Sequence, residues 1–354
     1  MSLTKIIKIE DPAAPGEGYI NQAARVLLGG GLVIIPTETV YGIAANALDK
    51  KALDKLYEIK KRPKDKPFSI IIAEQAQVAE FASEIPVAAY KLMHKFWPGP
   101  LTIILKAINQ GKVGLRMPDH QVALEIIRQV AVPLACPSAN IADTSAPTDF
   151  AQAMKDMDGL VDLAIDAGQT KLGLESTIVD LTSGPAQILR SGAISDAEIM
   201  VAVKSKTVLF VCTGNSCRSV MAEAYLKKLL RIQKRSDVEV NSAGIMILTG
   251  GGASVETREV LKNEGMDVRA HQVQRVTKEL VDRSDIILVM ERTHEAKILQ
   301  LAPETKNRLF LLKEFAKIND NDLDISDPMG ASTEAYADTF GVIKDAVERI
   351  SKIL

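Results

Sequence analysis

The apolar run Thr207-Val208-Leu209-Phe210-Val211 delivers the chain straight into Cys212-Thr213-Gly214-Asn215-Ser216-Cys217-Arg218-Ser219, and a helical pattern follows over residues 220–233. Strand, short polar loop and helix in that order build a cradle for an anion, because the loop and the helix start both present free backbone N–H groups. A buried strand needs partners. They are predicted at residues 238–241, 286–290 and 308–311, alternating with helices around 256–263, 278–283 and 331–353. The alternation predicts a three-layer α/β domain over residues 206–354 with a mostly parallel sheet, its site at the carboxyl ends of the strands.

With 354 residues in all, the part before this strand is large enough for a domain of its own. Residues 1–203 read as an α+β domain with a twisted mixed sheet flanked by helices. A helix is predicted over 21–28, the Gly29–Gly31 run ends it, and a strand over 32–35 leads into Pro36-Thr37-Glu38-Thr39. Asp49 starts another helix to residue 60, with Leu53, Leu56 and Ile59 near one face, and strands are expected at 68–72, 101–105 and 178–181.

The formal net charge is −2, which excludes a general polycation that coats nucleic acid or an anionic membrane, so local sites must hold any phosphate. Three cysteines, Cys136, Cys212 and Cys217, are too few for a disulfide scaffold. The start MSLTKIIKIED lacks a signal-like apolar core, and no apolar run reaches the roughly 18 residues of a membrane span. A cytoplasmic protein without membrane contact is expected.

Cys212 and Arg218 form C-x5-R. In a loop of N–H donors the cysteine can attack phosphorus while the planar arginine clamps the equatorial oxygens, and the helix start lowers the energy of both the dianion and the thiolate. With Gly214, Asn215 and Ser219, and with Ser326-Asp327-Pro328-Met329-Gly330 downstream, residues 206–354 resemble the low-molecular-weight protein phosphatase family. The resemblance implies Cys212 as nucleophile, Arg218 as clamp and Asp327 as the acid that protonates the leaving group and then activates water, with no cofactor. Thr213, Gly214, Asn215, Ser216, Cys217 and Ser219 are expected to support the loop. Met329 and Gly330, where tyrosine-specific members carry aromatics, and the hydroxyl of Ser216 make the protein-arginine phosphatase branch the closer match. Phosphotyrosine or a small aryl phosphate is the alternative. No cysteine follows Cys217, which argues against an arsenate-reducing thiol relay. Cys217 either protects Cys212 through a transient disulfide or packs the loop. Val220 departs from the proline usual at that helix start.

In the first domain the polar islands PTETVYG, KKRP, WPGPLT, RMP, PSAN, ESTIVD and ILRSG together resemble the threonylcarbamoyl-adenylate synthase family over residues 10–200. That family combines L-threonine, bicarbonate and ATP into threonylcarbamoyl-AMP and pyrophosphate, and separate tRNA threonylcarbamoyl-transfer machinery uses the product. The resemblance implies Lys60 and Arg62 as the clamp on carbamate and phosphates, with Lys66 a lesser candidate. It implies Arg116 for the threonine carboxylate, Thr37 and Ser176 for substrate polar groups, and Ser138, Asn140 and Arg190 for nucleotide or phosphate. Mg2+ is expected with ATP, held by the triphosphate; no protein metal site is expected. Tyr41 is expected near the site or in packing, and Glu38 as a partner of a cation or a turn cap. Ser191 stands where the family commonly has proline.

Cys136 reads as a packed residue, and Trp97 in WPGP as a brace for that turn. His94, His120, His271 and His294 show no metal-ligand spacing. The basic stretch 55–66 lacks the interleaved aromatics of a nucleic-acid surface, which favours a small polyanion. The competing reading makes the first domain a noncatalytic ATP- or RNA-binding module; direct tRNA binding stays open.

Overall fold

The computed structural model describes residues 3–13, 16–141, 144–246 and 251–354. The chain divides into two compact units, Met1–Val203 and Lys204–Leu354. Among the described residues no helix is long and apolar enough to cross a membrane.

The first unit carries an eleven-stranded mixed sheet. Across it run Lys5–Lys8, Leu163–Asp166, Val33–Ile35, Gly42–Asn46, Leu134–Ala135, Ile70–Ile71, Lys112–Arg116, Leu101–Ala107, Thr177–Asp180 and Gln187–Arg190, with Ala82–Glu84 paired to Leu101–Ala107. Helix Glu17–Leu28 buries Ile20, Ala23, Ala24 and Leu27 and stops at the glycine run. Gly30 takes φ +78, and a Cβ there would stand 2.5 Å from Asp49 Oδ2, so the turn needs glycine. Alternate residues of the following strands enter opposite cores: Val33, Ile35 and Ala44 in one, Ile34, Ile43 and Ala45 in the other.

Asp49 caps helix Lys50–Lys60 by accepting from the Lys51 and Ala52 N–H groups. The apolar stripe lies slightly rotated from the expected one. Ala52, Leu56 and Lys60 are the buried positions, while Leu53 and Ile59 are half-buried. Their spacing of four puts a lysine at the end of the core-facing stripe, which is how a cation of this helix reaches the interior. The strand expected over 68–72 shrinks to Ile70–Ile71, because Phe68 instead packs its ring 4.4 Å from that of Tyr57. Trp97 is buried and donates Nε1–H to Leu101 O at 2.8 Å, bracing the turn before that strand.

The second unit is a four-stranded sheet in the order Val238–Gly244, Lys206–Cys212, Ile286–Val289, Leu309–Leu311, and every pairing is parallel. Val208 and Phe210 enter one core and Leu209 and Val211 the other, so the central strand is covered on both faces and reads as a continuous apolar run. Helix Arg218–Ile232 packs Tyr225, Leu226 and Leu230 into the first of these cores, beside Phe340, Ile343 and Val347 of helix Thr333–Ser351. Helix Arg292–Leu301 was not legible from periodicity; only His294 and Ile298 of its ten residues are buried.

Because the chain has a single tryptophan, Trp97 fluorescence reports on the first unit alone. Leu56→Ala, at a fully buried position, is expected to lower stability by about 2–5 kcal/mol, read as an earlier urea midpoint of the Trp97 signal in the full chain. An unchanged midpoint would contradict the packing described.

Candidate active sites

In the first unit a cavity of about 170 Å³ opens among the strand ends. Its lining brings together Thr37, Lys60, Arg62, Arg116, Ser138, Ser176 and Arg190 from six separate stretches of sequence. Asn140 stands behind Lys60, and Lys66 is outside the lining. Lys60 Nζ donates to Ser138 O at 2.8 Å, to Asn140 O, and to Asn140 Oδ1 at 3.0 Å. Burial first, and the neighbouring Arg62 second, lower its pKa to about 8. Arg62 lies over the Phe68 ring at 5.2 Å and donates to Lys66 O and Pro67 O, which ties the 62–68 loop into the cavity wall.

Arg116 Nη2 donates to Glu38 Oε1 at 2.8 Å and to Thr39 Oγ1 at 2.7 Å, so Glu38 orients this cation from a buried position. Arg190 reaches Ser176 O through Nε, Ser176 Oγ through Nη2 and Glu175 Oε1 through Nη1. Burial lowers its pKa, and Glu175 opposes that shift. Four cations thus line the cavity beside one carboxylate, Glu175, paired with Arg190, while Glu38 outside the lining pairs with Arg116. That balance leaves room for an anion.

Several hydroxyls are committed within the protein. Thr37 Oγ1 donates to Val40 O at 2.6 Å, and Ser138 Oγ donates to Asn140 Oδ1. Thr37 Oγ1 also accepts from the N–H groups of Thr39 and Val40, whereas Ser138 Oγ keeps lone pairs for a ligand donor. Tyr41 lines the cavity and also packs edge-on against Phe150, with its hydroxyl bonded to Gly168 O and Ala167 N–H. The Cys136 thiol is pushed up to about 12 by burial, which unsuits it as a nucleophile. Sequence reasoning missed Glu175 and Thr102. The hydroxyl of Thr102 lies 2.9 Å from Ser176 Oγ, and the two residues sit in the WPGPLT and ESTIVD islands, whose places in the sequence were the available signal.

In the second unit the loop 212–218 closes around the start of helix Arg218–Ile232. Its carbonyls point outward: Cys212 O and Thr213 O accept from the N–H groups of Ile245 and Met246, Asn215 O meets His271 Nε2, and Ser216 O accepts from Ser254 N–H. A trans peptide sets N–H opposite C=O, so the N–H groups of Thr213, Gly214, Ser216 and Cys217 turn to the inner side. That side is an anion cradle.

Asn215 is fully buried with φ 54. Its Oδ1 accepts from Gln274 N–H, and its Nδ2 donates to Ser242 Oγ at 2.8 Å and to Ser219 Oγ at 3.0 Å. Since Ser219 Oγ receives a proton from Asn215, its own hydroxyl proton is free for Cys212 Sγ, 2.9 Å away. Arg218 is only 1% exposed. Nη1 donates to Glu291 Oε1 and to Ile325 O, Nη2 to Thr213 Oγ1 at 3.1 Å and to Asp327 Oδ2, and Nε has no partner among the described residues. Cys217 Sγ sits 3.7 Å from Ser254 Oγ and 3.6 Å from Tyr336 OH. Met329 is half exposed, its methyl near Gly214.

Glu291, Ser242 and Gln274 went unread in the sequence, and His294 was weighed only as a metal ligand. Glu291 follows the Ile286–Val289 strand closely, where the parallel-sheet rule places ligand contacts, and that position was its one signal.

Residues 25–192 match the family Sua5/YciO/YrdC, described as "Telomere recombination", and residues 207–354 match "Low molecular weight phosphotyrosine protein phosphatase". The threonylcarbamoyl-AMP synthase of Pyrococcus abyssi is 43% identical over 192 residues, covering 52% of this chain and 56% of that protein. The protein-arginine-phosphatase of Geobacillus stearothermophilus is 37% identical over 147 residues, covering 42% of this chain and 95% of that protein. This chain belongs to both families. A solved structure of P. abyssi Sua5 complexed with L-threonine is 29% identical, covers 87% of this chain and 99% of that one, and superposes with a TM-score of 0.54. The chain spans little more than half the length of the curated synthases it matches first.

Within the phosphatase-family unit, a Cβ at Gly244 would stand 2.8 Å from Thr213 O and 2.9 Å from Asn215 N and Gly214 C, all backbone. Gly244→Ala is therefore expected to deform the cradle and weaken inorganic phosphate at least about tenfold, a loss of about 1.4 kcal/mol, by titration calorimetry. Unaltered affinity would show that the loop relaxes without cost.

Proposed function

We propose that the chain is a bifunctional cytoplasmic enzyme that makes threonylcarbamoyl-AMP with its first unit and dephosphorylates protein phosphoarginine with its second. For the synthase, the observation that carries the reading is the convergence of Lys60, Arg62, Arg116 and Arg190 on one small cavity. The L-threonine amine forms an N–C bond to the bicarbonate carbon as a C–O bond breaks and water leaves, giving a carbamate. A carbamate oxygen attacks the α-phosphorus of ATP, the α–β P–O bond breaks, and pyrophosphate leaves.

Lys60 and Arg62 offset the repulsion among carbamate, α-phosphate and pyrophosphate, Arg116 receives the threonine carboxylate, and Ser138, Asn140 and Arg190 hold nucleotide and phosphates, with Thr37 and Ser176 on substrate polar groups. The threonine-bound relative supports that substrate. ATP enters as its Mg2+ complex. Glu175, the carboxylate of the cavity lining, is taken by Arg190, and Glu38 behind Arg116 is taken by that arginine, so the triphosphate oxygens hold the ion. The product passes to tRNA threonylcarbamoyl-transfer machinery.

For the phosphatase, Cys212 Sγ forms the S–P bond as the P–N bond of phosphoarginine breaks, and Asp327 gives its proton to the departing guanidino nitrogen. Water activated by Asp327 then splits the S–P bond and releases phosphate. Arg218 and the loop N–H groups hold the equatorial oxygens, and Ser219 donates to the thiolate. Thr213, Gly214, Asn215, Ser216 and Cys217 shape the cradle. The hydroxyl of Ser216 and Met329 beside Gly214, where tyrosine-specific members carry an aromatic, support phosphoarginine. The second reading, phosphotyrosine, draws on the description of the matched family.

Incubation with ATP, L-threonine and bicarbonate is expected to yield threonylcarbamoyl-AMP and pyrophosphate; no threonine-dependent adenylate would sink the synthase assignment. Because Lys60 titrates near 8 and must be charged to clamp an anion, kcat/KM for pyrophosphate release is expected to fall as pH rises through about 8. Lys60→Gln should lower kcat/KM by about two orders of magnitude and remove that limb; retention of the limb would assign it elsewhere. Cys212→Ser should bind phosphate but not turn over, and phosphoarginine should be hydrolysed faster than phosphotyrosine. The reverse order would reject the specificity.

A further inference from the structure

A histidine is linked to Arg218 through the Thr213 hydroxyl. His294, the third residue of helix Arg292–Leu301, is 1% exposed, and its Nε2 lies 3.0 Å from Thr213 Oγ1. Its Nδ1 is enclosed with no partner among the described residues. An enclosed, unpaired ring nitrogen carries a desolvation cost that an apolar side chain at this position would avoid. The imidazole instead spends its other nitrogen on a hydroxyl that receives Arg218 Nη2. Charged groups surround it: Arg218 from the cradle helix, Glu291 at its own helix start, and Asp324 and Asp327 from the acid loop. Burial and Arg218 together hold the imidazole below its usual pKa, so it sits there neutral.

Arg218 spends Nη1 on Glu291 and Ile325 O, which leaves Nε and Nη2 as the side-on fork for a phosphoryl group. Of the two Nη2 partners, Asp327 sits on the acid loop and must turn to the leaving group. Thr213 is then the fixed contact that sets the guanidinium plane, and Thr213 is itself held by His294. Resting on the assignment of the Cys212 loop as a phosphoryl site, we propose that His294 is a positioning residue, acting through the Thr213 hydroxyl to hold the Arg218 fork in register with the cradle.

The full chain is titrated with inorganic phosphate, and the rate of Cys212 alkylation by neutral iodoacetamide is measured beside it. His294→Leu and Thr213→Val are each expected to weaken phosphate about tenfold. The double variant should be no weaker than either single one, as contacts acting in series require. His294→Gln, whose amide reaches the same hydroxyl, should restore affinity to within about threefold. Alkylation should stay at the wild-type rate, because the clamp moves and the nucleophile does not; a general disturbance of the loop would change both. Wild-type affinity in His294→Leu, or additive losses in the double variant, overturns the proposal. If His294→Leu fails to fold, His294→Gln decides instead: in the Thr213→Val background it must have no further effect, and a further loss there overturns the proposal. Failure of the wild-type chain to bind phosphate would remove the phosphoryl-site reading itself, and the proposal with it.

Discussion

Each unit takes a cation out of water and holds it with oxygen atoms drawn from distant stretches of the chain. Arg218 is gripped by Thr213, Glu291, Ile325 O and Asp327, and Lys60 by the carbonyls of Ser138 and Asn140 together with the Asn140 side chain. Burying an ion costs several kcal/mol even after relaxation, so neither cation could stay without lone pairs standing in for solvent. The bonds that satisfy the charge also draw loops together. Loop order and anion affinity therefore rest on the same contacts, and removing either cation would leave carbonyls and carboxylates facing one another.

The two sites solve anion binding differently. The Cys212 loop uses backbone dipoles, which cannot titrate or rotate away, and one arginine. The synthase-family cavity uses four side-chain cations moderated by Glu38 and Glu175. Fixed dipoles suit a single tetrahedral group of constant shape. Several cations spaced around one cavity suit, under the proposed synthase reading, a ligand whose charge is redistributed among carbamate, α-phosphate and pyrophosphate as bonds change. A chain of net charge −2 sustains both because the positive groups are local and partly cancelled a few ångströms behind the site.

What the sequence discloses follows how local each cause is. The cradle was legible because strand, loop and helix are consecutive, and Asp49 announced its helix because a cap acts within three residues. Lys60 was found as a site residue, but its burial was not foreseen, since a rotation of the apolar stripe by one position decides whether a terminal lysine faces core or water. Glu291 and His294 meet Arg218 and Thr213 across more than seventy residues, and no spacing rule links them. Helix Arg292–Leu301 escaped because it is anchored by polar contacts at its start, while its apolar pattern is thin.

The pairing of Asp327 with Arg218 bears on the order of events. One carboxylate oxygen cannot hold Nη2 and face a leaving group at the same time, and a phosphoryl oxygen entering the cradle competes for that same donor. Under the proposed phosphatase reading, arrival of the dianion neutralises Arg218 and frees Asp327 in a single exchange, with Glu291 and Ile325 O keeping the far edge of the guanidinium still. In that reading the acid is withheld from the reaction path until there is a phosphoryl group for it to act upon. An ion pair that looks inhibitory in the free protein is, on this account, what couples substrate binding to placement of the acid.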